Sequence, residues 1–293
     1  MKYGCQSMVS PIAGILMKKP EDAFRSQQNL DEKYEEYGYF ESPNYEKVLE
    51  EYREFEKIIR ENVGEIYYLP FDDKAGLDSI YTHDPLKITK KGAVYFQMGK
   101  PLRAGEPSAT RTFLESIGVP TLGRITGDGR MEGGDVVWLK DRVVAIGRGY
   151  RTNDEGIRQF KELLNGLIDE VIVVPMPHAD GREACLHLMS IISMVDDDLA
   201  VVYSKYMPVF FREYLIDSGI TLIETDDDEY DYLGSNVLAL GNRKCLVMEG
   251  NPKVKSALIE AGATVYDYPG RNLSYLGTGG PTCLTCPVCR GSI

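Results

Sequence analysis

The chain has 293 residues, 43% of them hydrophobic, and a formal net charge of -12. That apolar content suffices for a large core. The acidity disfavours nucleic acid and anionic lipid as partners. No apolar run reaches membrane-spanning length. No basic segment followed by a long apolar stretch marks a signal peptide. In such a chain the six cysteines (Cys5, Cys185, Cys245, Cys283, Cys286 and Cys289) read as thiols of a reducing cytoplasm, not as a disulfide framework.

In chain order, Ile12–Met17 reads as a terminal strand. A helix opens at Ser42-Pro43, with Ser as N-cap and Pro at the first helical position. Val48, Tyr52, Phe55 and Ile59 give it a helical period. It ends near Gly64, before a strand at Glu65–Pro70. Ala93–Gln97 is a strand, and a second helix carries Phe113, Leu114 and Ile117 and stops at Gly118. Asp135–Leu139 and Val143–Ile146 flank a tight turn. A third helix follows Thr152-Asn153, with Ile157, Phe160, Leu163, Leu164 and Leu167 on its apolar face, and Val171–Val174 is its strand. Leu199–Tyr203 is the next strand. A fourth helix runs from Pro208 to Gly219, before Ile220–Ile223. Val237–Leu240 and Cys245–Met248 form another pair. A fifth helix spans Pro252 to Gly262, before Ala263–Tyr266.

The unit is strand–strand–helix–strand, repeated at roughly 45–55 residues, a period that points to a stacked or circular array. The last strand pair is left for the termini, Ile12–Met17 with Cys286–Ile293, after the fifth helix. The expected fold is therefore α/β, a closed five-bladed propeller in one domain of residues 1–293. An open α/β sheet satisfies the same periodicity.

Chemistry-bearing residues recur at one place in this repeat. Met131-Glu132-Gly133-Gly134-Asp135 sets two carboxylates around a glycine pair, where Glu132 and Asp135 can converge on a cation. Tyr81-Thr82-His83-Asp84-Pro85 supplies a third carboxylate, with Asp78 upstream. Cys185-Leu186-His187-Leu188-Met189-Ser190 places a lone histidine in an apolar strand. Gly279-Gly280-Pro281-Thr282-Cys283-Leu284 presents a cysteine just after a Gly-Gly step, where a ligand can approach the backbone. In a ring, equivalent blade positions converge on the axis. The set therefore reads as a Cys-His-carboxylate site.

Met-Glu-Gly-Gly-Asp at 131–135 and Thr-Cys-Leu-Thr-Cys-Pro at 282–287 resemble the signature motifs of the guanidino-group-modifying enzymes. These are the arginine deiminases, amidinotransferases and dimethylarginine dimethylaminohydrolases, with their five-bladed pentein fold. The Arg151-Thr152-Asn153, Ala179-Asp180-Gly181 and His187-Leu188-Met189-Ser190 segments look most like the dimethylarginine enzymes. The resemblance implies Cys283 as nucleophile, His187 as general acid/base and Glu132 as the carboxylate gripping a guanidinium. Asp84 becomes a second guanidinium carboxylate and Asp78 a substrate-binding residue. Arg103 and Arg151 hold the substrate α-carboxylate. It implies hydrolysis of N-omega,N-omega-dimethyl-L-arginine to L-citrulline and dimethylamine through a covalent thiouronium, with no cofactor and no metal. The chain departs from the family at His83, where the dimethylarginine enzymes carry Glu. It departs again at Met189, where they carry Lys and the deiminases Asp.

Two other readings stand beside this one. An arginine deiminase or amidinotransferase would act on another guanidino compound. Cys283-x-x-Cys286-x-x-Cys289 has the spacing of zinc or iron–sulfur ligands. In each enzymatic reading the partner is a small guanidino molecule, and a homo-oligomer is left open.

Overall fold

A computed structural model describes residues 2–291. The first blade contains β1 (Ile12–Met17), short helix α1 (Pro20–Ala23), α2 (Gln27–Tyr37), α3 (Tyr45–Asn62) and β2 (Glu65–Tyr68). The next has β3 (Leu86–Thr89), β4 (Gly92–Tyr95), α4 (Glu106–Ser116) and β5 (Thr121–Arg124). Then come β6 (Val136–Lys140), β7 (Val143–Arg148), α5 (Asp154–Leu163) and β8 (Glu170–Pro175). The fourth blade has β9 (Ile192–Asp196), β10 (Leu199–Val202), α6 (Val209–Asp217) and β11 (Thr221–Glu224). After α7 (Asp227–Asp231), the last has β12 (Leu238–Gly241), β13 (Lys244–Met248), α8 (Pro252–Glu260) and β14 (Thr264–Tyr268), and β15 (Cys286–Arg290) ends the chain's strands.

These strands form five three-stranded sheets. In each, the first strand is antiparallel to the second, and the second is parallel to the third across its helix. The expected five-bladed α/β propeller is present. Burial explains the radial order. First strands such as β3 and β12 are buried throughout, while third strands such as β2 and β5 are mostly half-exposed or exposed. First strands of neighbouring blades pack together, β9 on β12 and β15 on β3. Such a strand is covered on both faces, which is why these runs are rich in apolar residues and why the charged side chain in β3, Lys87, is itself buried.

The termini do pair, β15 with β1 (Leu16 opposite Cys286). The third strand of that sheet is β2, so the pair belongs with the first helix rather than the fifth. Residues 292 and 293 of the expected last strand lie outside the described residues. Joining both ends of the chain in one sheet closes the ring.

The first repeat helix starts later than expected. Its N-cap is Asn44, whose side chain accepts from Lys47 N at 3.0 Å, so Ser42 and Pro43 precede the helix. Its buried stripe includes a carboxylate, Glu51, beside Val48, Tyr52, Phe55 and Ile59. Glu51 accepts from Asn272 N, Asn272 Nδ2 and Leu273 N at 2.7 to 2.9 Å. A buried carboxylate is tolerated when its oxygens are filled by donors. This one fixes the helical turn at Arg271–Tyr275, which leads into the Cys283 loop. Helices α1 and α2 were not anticipated. They fill the connection between β1 and α3 and pack on the turn at Leu77–Ile80.

Candidate active site

Each blade delivers one polar residue just before its first strand. Asp84 precedes β3, Glu132 precedes β6, His187 precedes β9, Asn236 precedes β12 and Cys283 precedes β15. Oxygen and nitrogen atoms of Asp84, Glu132 and His187 all lie within 4.8 Å of one another. These three are almost wholly buried.

His187 does not sit in a strand. It opens a single turn at Leu188–Ser190, and its backbone N–H donates to Ser190 Oγ at 3.1 Å. Its Nε2 faces Glu132 Oε2 at 2.7 Å, its Nδ1 faces Cys185 Sγ at 3.6 Å, and Asp84 Oδ1 lies 4.0 Å away. The backbone glycines make this approach possible. A Cβ on Gly134 would fall 2.4 Å from His187 Nδ1, and one on Gly133 would fall 2.2 Å from the His83 carbonyl oxygen.

Glu132 is fully buried, and both its oxygens are filled. Gly99 N and Lys100 N donate to Oε1 at 2.8 and 3.1 Å, while Arg151 Nη1 donates to Oε2 at 3.0 Å. Burial would raise its pKa, but the His187 bond and the Arg151 charge outweigh it and hold it at about 2. Asp84 accepts from Gly134 N at 3.0 Å and from Arg103 Nη1 at 2.6 Å. Burial disfavours its charge, yet Arg103 and His187 hold its carboxyl well below the usual carboxylate range.

Arg103 differs from its expected place. The rest of its guanidinium is committed to Glu106 at 2.8 to 3.1 Å and to the Tyr81 carbonyl at 3.0 Å. It is therefore not open to an external carboxylate in this conformation, and it occupies the carboxylate expected to receive a substrate cation. Glu106 itself is pushed up to about 7, because burial outweighs the Arg103 pair. Among the described residues Arg151 hydrogen-bonds through Nη1 to Glu132 alone, and the rest of its fork is uncommitted. Asp78 is paired with Lys100 at 2.6 Å.

Asp135 also departs from expectation. Its Oδ1 accepts from Leu188 N at 2.9 Å and its Oδ2 from Thr152 Oγ1 at 2.6 Å. Thr152 Oγ1 accepts in turn from Glu132 N at 3.2 Å. Both Asp135 oxygens thus tie the His187 turn to the Glu132 turn, and neither is left for a cation. Burial raises its carboxyl to about 6.

Cys283 lies on the loop after the Gly-Gly step. Here the glycines matter for close approach: a Cβ on Gly279 would fall 2.1 Å from the Tyr81 ring, and one on Gly280 would fall 2.6 Å from the Asn236 amide. His83 N donates to the Cys283 carbonyl at 3.3 Å, which joins this loop to the Asp84 segment. Asn236 grips both sides of the loop. Its Oδ1 accepts from Thr282 N at 3.0 Å and its Nδ2 donates to Cys283 Sγ at 3.3 Å. Burial, with Asp84 next, pushes the Cys283 thiol up to about 12. His187 behaves oppositely. Burial alone would disfavour its cation, but the Cys185 sulfur and Asp84 outweigh it and raise its pKa well above the usual histidine value. Desolvation of the Cys185 sulfur is likewise outweighed by His187 and Arg151, so that thiol is lowered.

Asn236, Cys185 and Lys100 were missed in the sequence. Asn236 was open to detection, since it precedes its strand as Asp84 precedes its own. Among the described residues, Asp84, Glu132 and His187 are the group of His, Cys, Asp and Glu side chains close enough to share an ion. Cys283, Cys286 and Cys289 do not form one, so the spacing that suggested a metal module has no geometric counterpart.

The sequence model of the arginine deiminase family matches residues 78–219 and 209–290. A Bacillus subtilis protein, the uncharacterised YkgA, is 26% identical over 99% of this chain and 96% of its own length. An arginine deiminase of Mycobacterium avium is 30% identical over 55% of this chain, a match spanning just under half (46%) of that protein. Among solved structures, DDAH from Pseudomonas aeruginosa complexed with citrulline superposes with a TM-score of 0.74 at 20% identity, over 94% of this chain and 99% of that one. The N-terminal domain of ArgZ, a cyanobacterial arginine dihydrolase bound to its product, gives 0.79 at 20% identity, over 96% of this chain and 98% of that one. At such identities the likeness is one of fold.

Proposed function

The chain belongs to the arginine deiminase family, and from that premise we propose that it hydrolyses the guanidinium group of an arginine derivative, with Cys283 as nucleophile. The observation that carries this reading is the convergence of buried Asp84, Glu132 and His187 before the inner strands, in the same ring position as Cys283. A guanidinium is a planar, delocalised cation with forked donors, and paired carboxylates are its natural receptor. Carboxylates held ionised by Arg151 and Arg103 can exchange those partners for the substrate.

The thiol of Cys283 is protonated in the unliganded site. A bound guanidinium beside it would favour the thiolate, its proton passing to solvent, since a nearby cation lowers a thiol pKa. The sulfur attacks the guanidino carbon and forms a C–S bond. The C–N bond to the departing amine breaks as His187, held as imidazolium, gives that amine its proton. Water then attacks the thiouronium carbon and passes a proton to His187. The C–S bond breaks, which returns the thiolate and leaves a urea-type product.

For the finer identity, the Arg151-Thr152-Asn153 and His187-Leu188-x-Ser190 segments favour N-omega,N-omega-dimethyl-L-arginine, giving L-citrulline and dimethylamine. The family match favours free arginine as the second reading. Arg151, with most of its fork uncommitted, is the proposed holder of the α-carboxylate. A screen of arginine, methylated arginines and agmatine, with citrulline, ammonia and amine release measured, tests the reading. Arginine-type amino acids should react far faster than agmatine, because an unpaired buried arginine is costly. Equal turnover of agmatine refutes the carboxylate contact. Full activity in Cys283→Ser refutes the mechanism.

A further inference from the structure

A small cavity is lined by Lys87, Arg290, Trp138, Thr282, Cys5 and Cys286, with apolar wall from Met8, Ile88 and Leu238. Its lining contains cations and thiols and no carboxylate. Neither Lys87 nor Arg290 forms an ion pair among the described residues. Lys87 is nearly buried, and its Nζ meets His83 Nε2 at 2.5 Å. His83 Nδ1 lies 3.0 Å from the Thr285 carbonyl, so Nδ1 carries the proton and Nε2 accepts from the ammonium. Two ammonium donors of Lys87 remain. Arg290 spends Nη1 on the Ser10 carbonyl and Nη2 on the Ala239 carbonyl, at 2.6 and 2.8 Å.

Two further donors line the same cavity. Trp138 Nε1 and Thr282 Oγ1 belong to residues 2% and 3% exposed, and neither atom has a hydrogen-bond partner among the described residues. Orphaned buried donors are uncommon and need an explanation. A buried lysine and a half-buried arginine without a counter-ion among the described residues need one as well. One occupant answers both needs. We propose that this cavity binds a small, weakly hydrated monovalent anion, chloride being the common example. The largely apolar walls decide against phosphate or sulfate, which would lose strong hydration for few donors. The proposed catalytic side chains Asp84, Glu132, His187 and Cys283 do not line the cavity, although their neighbours His83, Lys87, Thr282 and Cys286 do.

Trp138 is the single tryptophan of the chain, so its fluorescence reports this cavity alone. Iodide, which quenches indole on contact, is titrated at constant ionic strength with gluconate as the balancing anion. Saturable quenching in the millimolar range is expected, relieved by chloride and not by phosphate. Lys87→Met and Arg290→Met should each reduce it by at least tenfold in apparent affinity, with circular dichroism confirming the fold. Linear quenching indifferent to chloride overturns the proposal, as does unchanged saturation in both variants. If either variant fails to fold, competition between iodide and chloride in the wild-type protein decides alone.

Discussion

The side-chain amide of Asn236 donates to Cys283 Sγ at 3.3 Å and accepts from the backbone of Thr282 at 3.0 Å, so one residue both orients the sulfur and fixes its loop. If Cys283 is the nucleophile proposed above, a donor facing its sulfur matters most when the charge forms. Asn236→Ala should lower kcat/KM by about 10- to 100-fold, matching the ~1.5–3 kcal/mol of a hydrogen bond to a charged group. The pH profile of Cys283 alkylation should move to higher pH in that variant. An unmoved profile would mean that Asn236 serves the loop alone.

Glu132 is fully buried and ionised among Arg151, His187 and two backbone donors. Glu132→Gln keeps the shape and removes the charge. Turnover should fall by orders of magnitude while the far-ultraviolet spectrum is kept. The acid limb of wild-type stability carries the same residue. Its folded pKa of about 2 lies below the ordinary value of about 4.3. The stabilisation is therefore present above pH ~4.3 and is lost as pH falls towards about 2. A melting curve in which Glu132→Gln loses stability equally at every pH would show that packing, not charge, holds the site.

The Cys185 sulfur is one reason that His187 stays protonated. Removing it should lower the His187 pKa, so the imidazolium that the proposed mechanism uses to protonate the leaving amine is lost at lower pH. In Cys185→Ala the alkaline limb of kcat should move down by about one pH unit, with little change in the acid limb. Identical profiles for the two proteins would assign the high His187 pKa to Asp84 and Glu132 alone.

Asp135 is the opposite electrostatic case, raised by burial to about 6. A carboxyl with a raised folded pKa contributes stability that is complete below its ordinary value of about 3.9 and is lost as pH climbs through about 6. Its shift of about 2 units sets an upper limit near 3 kcal/mol. Asp135→Asn keeps an acceptor for Leu188 N. Thermal melting should find it level with or above wild type at pH 8, and without that advantage at pH 4. A large loss at pH 8 would mean that the ionised form is required to join the two turns.

The sequence by itself determined the repeat, because it depends on local rules. Glycines with positive φ end α4, α6 and α8 at Gly118, Gly219 and Gly262, and apolar runs mark the inner strands. It also indicated Asp84, Glu132, His187 and Cys283, since a repeated unit carries its polar residue to the same place in each blade. Helix α2 escaped because its apolar face is narrow: only Leu30 and Tyr37 are buried. The partners of each side chain were settled by tertiary structure alone. Arg103 on Asp84, Lys100 on Asp78 and Asn236 on Cys283 join residues 19, 22 and 47 positions apart. Asp135 and Glu132 stand three positions apart, yet one binds a threonine and a backbone amide while the other meets histidine and arginine. Motif spacing places a carboxylate near the axis. Which donors fill its oxygens depends on how neighbouring blades pack, and burial makes those donors decide its charge.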